Sequence, residues 1–353
     1  MTIGCSEFWR GKRVLLTGHT GFKGSWLAVW LKHLGADVTG IAIQPNTSPS
    51  LFDLADIQKG MTSHYCDIRN LAQLQMLIES AQPEIVFHLA AQPLVRASYK
   101  DPLDTLSTNI MGTANILDSL REVDSCKVAV MVTTDKVYSN KEWLYPYRES
   151  DALGGYDPYS ASKAASEIVI SSYRDSFLEQ QGLAVASARA GNVIGGGDWS
   201  EDRLIPDAVR AWQGESALEI RNPEATRPWQ HVLEPLAGYL TLAYELWNHP
   251  ELCGAYNFGP QSHEVASVRT VIELAKLTIN GSQIKYIENS SNVHEAGLLA
   301  LETAKTRSVL KFAPHWSLEE TVARTMKWYQ EQQQGATAIE LCLKEIRDYE
   351  EML

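Results

Sequence analysis

The chain has 353 residues, 44% hydrophobic and 21% charged, enough apolar side chain for a large buried core, which excludes a disordered chain. A formal charge of −12 argues against DNA, RNA or an anionic membrane as partner, because neutralising phosphates takes clustered Lys and Arg. The five cysteines are scattered without a C-x-x-C pair, so reduced thiols are expected and no metal.

The N-terminal stretch MTIGCSEFWRGKR has no apolar run of signal-peptide length. No segment approaches the roughly 20 apolar residues that span a bilayer, so the expected compartment is the cytoplasm. Arg13–Thr17 is predicted to be a strand and Gly24–Leu34 the helix after it. Between them lies Gly18-His19-Thr20-Gly21-Phe22-Lys23-Gly24, a G-x-x-G-x-x-G turn. Glycines let the backbone approach a pyrophosphate, and the start of a helix favours its charge.

Strands are predicted again over Val38–Ile43, Glu84–Ala90, Lys127–Thr133 and Leu183–Arg189, the last after a long helical stretch, Ser160–Gln181. Short β-branched runs, apolar on both faces and separated by helices, predict a parallel sheet covered on both sides. Beyond Arg189 the texture changes. Gly191–Asp198 reads as a loop, Ile205–Trp212 as a helix, Leu218–Trp229 mixes Pro, Arg and Trp, and Val271–Thr278 is helical.

Tyr159-Ser160-Ala161-Ser162-Lys163 opens the long helix, and a spacing of four puts Tyr159 and Lys163 on one face. A lysine cation there favours phenolate and is expected to lower the Tyr159 pKa, which makes the phenol a usable base. Thr134-Asp135-Lys136 follows the strand before it.

With Cys66-Asp67-Ile68, His88-Leu89-Ala90-Ala91-Gln92 and Thr108-Asn109, these motifs resemble, in order, those of the extended short-chain dehydrogenase/reductase family. The resemblance runs from residue 10 to about 330. It implies a Rossmann-type doubly wound parallel α/β sheet with a smaller C-terminal α/β substrate lobe. Residues 1–189 would form the NAD-binding domain, with 231–258 returning to it, and 190–230 with 259–353 the substrate lobe. It also implies NAD held by Gly18, His19, Thr20, Gly21, Phe22, Lys23, Gly24, Asp67, Ile68, Leu89, Ala90, Ala91, Thr108, Tyr159 and Lys163. Asp67 would accept from the adenine amino group. His19 and Lys23 replace the smaller residues common in this turn; each would add a phosphate contact, or Lys23 would face water. The second strand ends without the usual ribose-binding acid and without an Arg for a 2′-phosphate, which favours NAD over NADP.

The pattern T-T-D-x-V-Y is similar to that of nucleotide-sugar 4,6-dehydratases, where the Asp protonates the departing C6 hydroxyl; 4-epimerases lack this acid. Lys136 stands where those dehydratases carry Glu, and the Asp-Lys form resembles their CDP-glucose branch. This implies CDP-glucose as substrate, Thr134 as a hydrogen-bond partner of the oxidised hydroxyl, and Lys136 as C5 base or as a group that positions Asp135. Substrate contacts are implied at Arg96, Asn192, Leu204, Arg227, Asn257 and His294, with Leu218 and Ile220 sandwiching the nucleobase. A homo-oligomer, dimer or tetramer, and a place on the route to deoxysugars of bacterial surface polysaccharide are implied as well. The tail from Gln330 reads as an amphipathic helix, a lobe cover or a contact between subunits. The alternatives are a 4-epimerase or other NAD-dependent sugar dehydratase, and a non-catalytic NAD-sensing protein.

Overall fold

The computed structural model describes residues 6–279, 283–287 and 297–353. Seven parallel strands form one sheet: β1 (Arg13–Thr17), β2 (Asp37–Ala42), β3 (Thr62–Tyr65), β4 (Ile85–His88), β5 (Val128–Val132), β6 (Ala184–Ala190) and β7 (Gly254–Phe258). Their order is β3-β2-β1-β4-β5-β6-β7. It reverses direction between β1 and β4, and open α/β sheets bind ligands at such a switch point. Val14 and Leu16 point into one hydrophobic layer and Leu15 into the other, as the period of two requires. All of Val128–Val132 is buried, which explains why β5 reads as an unbroken apolar run.

Besides three short helices (Ser6–Trp9, Leu51–Leu54 and Ala304–Val309), the described helices are α1 (Phe22–His33), α2 (Leu71–Ala81), α3 (Val95–Lys100), α4 (Pro102–Leu106), α5 (Gly112–Leu120), α6 (Pro158–Tyr173), α7 (Leu204–Gln213), α8 (Leu233–Asn248), α9 (Val268–Lys276), α10 (Leu318–Gln333) and α11 (Ala338–Glu350). A π-helical turn, Ser107–Met111, joins α4 to α5. Such turns concentrate at functional sites, and this one carries Thr108 and Asn109. Asp157 caps α6 by accepting from Ser160 N, and Pro158 stands in its first turn, so the helix starts where Tyr159 must be placed.

After β6 the chain leaves the sheet, and residues before β7 form small ladders with residues that follow it. Leu218–Ile220 pairs with Ile284–Tyr286, and Thr226–Arg227 with Ala266–Ser267. It then returns through α8 to β7, which pairs with β6. The last helix, α11, docks back on α1: Trp30 Nε1 donates to Glu350 Oε1 at 2.8 Å. Tyr349 OH donates to Glu234 Oε2 at 2.5 Å, fixing the same helix to the start of α8. No described helix is long and apolar enough to cross a membrane.

Candidate active site

A cleft of about 1080 Å³ runs along the carboxyl ends of the strands, from Gln44 and Asp67 at one end to Asn222 and Val268 at the other. Its floor is the glycine turn. Gly18 has φ of +77°, and a Cβ there would lie 2.7 Å from Ala90 N; a Cβ on Gly24 would lie 2.0 Å from Gly18 O. Only glycine lets these segments meet. On Gly21 the nearest atom to a Cβ would be Gly18 O at 3.5 Å, so its backbone faces open cleft, and no side chain caps the first turn of α1 behind it. A bare helix start with open approach fits a pyrophosphate.

Gly18, Thr20, Gly21, Phe22, Lys23 and Gly24 line the cleft, but His19 does not. Its ring is fully buried over Gly40, with Nε2 2.7 Å from Ser63 Oγ, and burial draws its pKa down to about 4. The phosphate contact expected of His19 is therefore not available; the imidazole fills the space that Gly40 leaves. Lys23 is half-buried on the cleft rather than free in water. Its ammonium donates to Tyr239 OH at 3.1 Å, and burial, then the Arg203 and Lys163 charges, bring it down to about 7.

At the far end of the nucleotide half, Asp67, Ile68, Leu89, Ala90, Ala91 and Thr108 all reach the cleft. Asp67 is already engaged: Arg69 Nη2 donates to its Oδ2 at 2.6 Å, which holds the carboxyl below the usual range. Arg69 also grips Asp104 at 2.7 Å. Asn109, from the π-helical turn, accepts from Gln92 N at 2.8 Å and donates to Ser162 Oγ at 2.8 Å, joining the β4 loop to α6.

Thr134, Lys136, Tyr159 and Lys163 converge on the central wall. Thr134 Oγ1 donates to Asp135 Oδ1 at 3.0 Å, and Lys136 Nζ lies 3.6 Å from the same oxygen. Asp135 is fully buried, and its Oδ2 has no hydrogen-bond partner. That oxygen lies beneath Gly191, where a Cβ would approach it to 3.2 Å, and Gly191 itself lines the cleft. The lowered phenol pKa expected at Tyr159 is not a property of the protein alone. Burial raises it to about 12 against the lowering effect of a hydrogen bond with Thr134, while burial takes Lys163 down to about 8.

Arg96, Asn192, Leu204 and Arg227 also line the cleft. Arg96 Nη1 lies 3.4 Å from Asp202 Oδ1, an ion pair between α3 and the loop before α7. Arg227 Nη1 donates to Thr226 O at 2.7 Å, and Asn192 Oδ1 is buried without a partner. Two expectations fail, and a third falls on a residue that is not described. Leu218 and Ile220 alternate with exposed Glu219 and point into the core, so they cannot sandwich a base. Asn257 is fully buried, accepting from Tyr138 OH at 2.6 Å and donating to Tyr147 O and Glu302 O. His294 lies outside the described residues.

Sequence reasoning missed Arg69, Arg203 and Asn222 on the cleft wall. Arg69 was findable as the cation next to the D-I pair, and Arg203 as the residue before Leu204. Nothing marks Asn222.

The family model for GDP-mannose 4,6 dehydratase matches residues 15–325. The chain belongs to that dehydratase family. A CDP-glucose 4,6-dehydratase of Salmonella typhimurium is 45% identical over 97% of both chains. dTDP-glucose 4,6-dehydratase 1 of Escherichia coli is 25% identical over 90% of this chain and 92% of its own. Among solved structures, an NAD dependent-NDP-hexosamine 5,6-dehydratase of tunicamycin biosynthesis is 25% identical, with a TM-score of 0.74 over 90% of this chain and 97% of that one. A UDP-glucose-4-epimerase from Stenotrophomonas maltophila, 20% identical, shares the fold at a TM-score of 0.79 over 92% and 99%. Dehydratases and epimerases of this kind thus have one scaffold, so chemistry must be argued from the wall of the cleft.

Proposed function

We propose that this chain is an NAD-dependent CDP-glucose 4,6-dehydratase, converting CDP-D-glucose to CDP-4-dehydro-6-deoxy-D-glucose and water. The observation that carries this is Asp135, an unpartnered buried carboxylate oxygen next to the Thr134–Tyr159–Lys163 set. An epimerase, which only removes and returns hydride at C4, has no use for it. The near-full-length likeness to the Salmonella enzyme supports the nucleotide.

NAD, which Gly18, Gly21 and Gly24 would hold on the glycine turn, would supply the hydride acceptor for C4 and the hydride donor for C6. Tyr159 takes the C4 hydroxyl proton, with Thr134 on the same wall as its hydrogen-bond partner. Once C4 is a ketone, the C5 proton is acidic. A base removes it, the C6–O bond breaks, and Asp135 protonates the departing hydroxyl as water. Lys136, on the cleft wall and 3.6 Å from Asp135, either takes the C5 proton or fixes the acid. Hydride at C6 and a proton at C5 complete the product, with no net change in redox state. Arg227 and Asn192, which line the cleft, would take the diphosphate, and Asn222 and Val268, which line it as Leu218 and Ile220 do not, would take the base. Exposed Leu103, Met111 and Ile168 on the outer helices support self-association, and the enzyme works as a homo-oligomer in the cytoplasm.

The nucleotide is tested by comparing kcat/KM for CDP-, UDP- and dTDP-glucose with one preparation. CDP-glucose is expected to be turned over far better. Equal or better turnover of dTDP-glucose would discard the CDP assignment and leave the chemistry.

A further inference from the structure

Lys163 and Glu167 lie one turn apart on α6, both buried. They are fastened to consecutive residues at the end of β5: Lys163 Nζ donates to Val132 O at 3.4 Å, and Thr133 Oγ1 donates to Glu167 Oε1 at 2.5 Å. The next residue is Thr134, on the cleft wall. Three further donors hold the same carboxylate: Ser187 Oγ at 2.7 Å, Arg189 Nε at 3.0 Å and Arg189 Nη2 at 2.9 Å. Arg189 is in turn held by Tyr138 OH at 3.0 Å and Glu149 O at 3.1 Å. The carboxyl group is thus held by four donor atoms inside the protein and does not line the cleft.

We propose that Glu167 is a positioning residue for the reaction: paired with Arg189, it locks α6 to the ends of β5 and β6 and keeps Lys163 charged beside Tyr159. The inference rests on the reading that Tyr159 and Lys163 perform the C4 oxidation. Burial disfavours an ammonium, and it draws Lys163 down to about 8 even with the Glu167 charge opposing it. The other charged or titratable groups around Lys163 do not replace that support. Lys23 adds like charge from the glycine turn, with Arg203 near it. His88, at the end of β4, is drawn down to about 3 by burial, and so is neutral. Asp135 is engaged by Thr134 and lies beside Lys136. Loss of Glu167 therefore removes the carboxylate one turn away on α6, and the carboxyl that remains, Asp135, is bonded to Thr134 and lies beside Lys136.

The test is the pH profile of kcat and KM for the NAD-loaded enzyme with CDP-glucose. In Glu167→Gln the high-pH limb of kcat, where Lys163 loses its proton, should move down by about one pH unit or more. KM should change little, and Glu167→Asp, which keeps the charge, should restore most of the limb. Because the single variant leaves Arg189 without its carboxylate partner, Glu167→Gln/Arg189→Met provides a version without the unpaired cation. It should show the same displaced limb. A folded variant of either kind with the wild-type limb overturns the proposal. No 4-keto product from the wild-type chain with any nucleotide-glucose would instead overturn the reaction itself.

Discussion

Thr134 Oγ1 donates to Asp135 Oδ1 at 3.0 Å, while the other oxygen of Asp135 lies buried beneath Gly191 without a partner. In the proposed mechanism the hydroxyl that would serve the oxidation and the carboxyl that would serve the elimination are bonded to each other. One oxygen of the acid is fixed and the second has spare capacity, which is the condition for carrying a proton to a leaving group.

Asp135→Asn should therefore separate the two steps. The amide still accepts from Thr134 but cannot protonate a departing hydroxyl. Oxidation at C4 should persist and elimination should slow by about 10²–10⁴-fold. Rapid-mixing absorbance at the reduced-nicotinamide band should show NADH accumulating in the variant. Full-rate water loss would remove Asp135 from the mechanism.

Gly191→Ala tests the same carboxyl from the other side. Its Cβ would lie 2.5 Å from Pro228 Cγ and 3.2 Å from Asp135 Oδ2, so the loop must shift or the acid must turn. Elimination should fall more than oxidation, while thermal stability drops by a few degrees. Unchanged turnover would mean that the path from Asp135 to the cleft does not pass Gly191.

Glu234 gives a stability prediction far from the chemistry. Its Oε1 accepts from His315 N and Trp316 N, its Oε2 from Tyr349 OH, and burial raises its pKa from 4.5 to about 7. The folded state thus holds the proton more tightly than the unfolded chain. That contribution is complete below about pH 4.5 and is lost as pH rises through 7, by roughly 3 kcal/mol in all. In Glu234→Gln the amide can accept the same two N–H groups and donate to Tyr349. Urea unfolding should find the variant more stable than wild type at pH 8, with the difference shrinking toward pH 5. A variant less stable at pH 8 would contradict the assignment.

Much of this was legible because apolar runs and glycine turns act locally. Val38–Ile43 was expected as a strand and Asp37–Ala42 is one; the glycine turn sits where a strand meets a helix. Tyr159 and Lys163 share a wall because four residues make about one helical turn. What failed depended on partners distant in sequence. Whether Leu218 and Ile220 or Glu219 met the core was set by the neighbouring ladder to 284–286. Asn257 looked like a ligand contact, yet Tyr138, Tyr147 and Glu302 consume its amide. The π-helical turn at Ser107–Met111 has no signature in composition, since it only inserts a residue into an otherwise ordinary helix.

The central claim is that hydride leaves C4 and returns to C6 within one active site. CDP-glucose deuterated at C4 should be incubated with the NAD-loaded enzyme and the product examined by NMR. A 4-keto-6-deoxy product with deuterium at C6 and no external reductant consumed is the expected result. Stoichiometric NADH release, or deuterium recovered at C4, would contradict it.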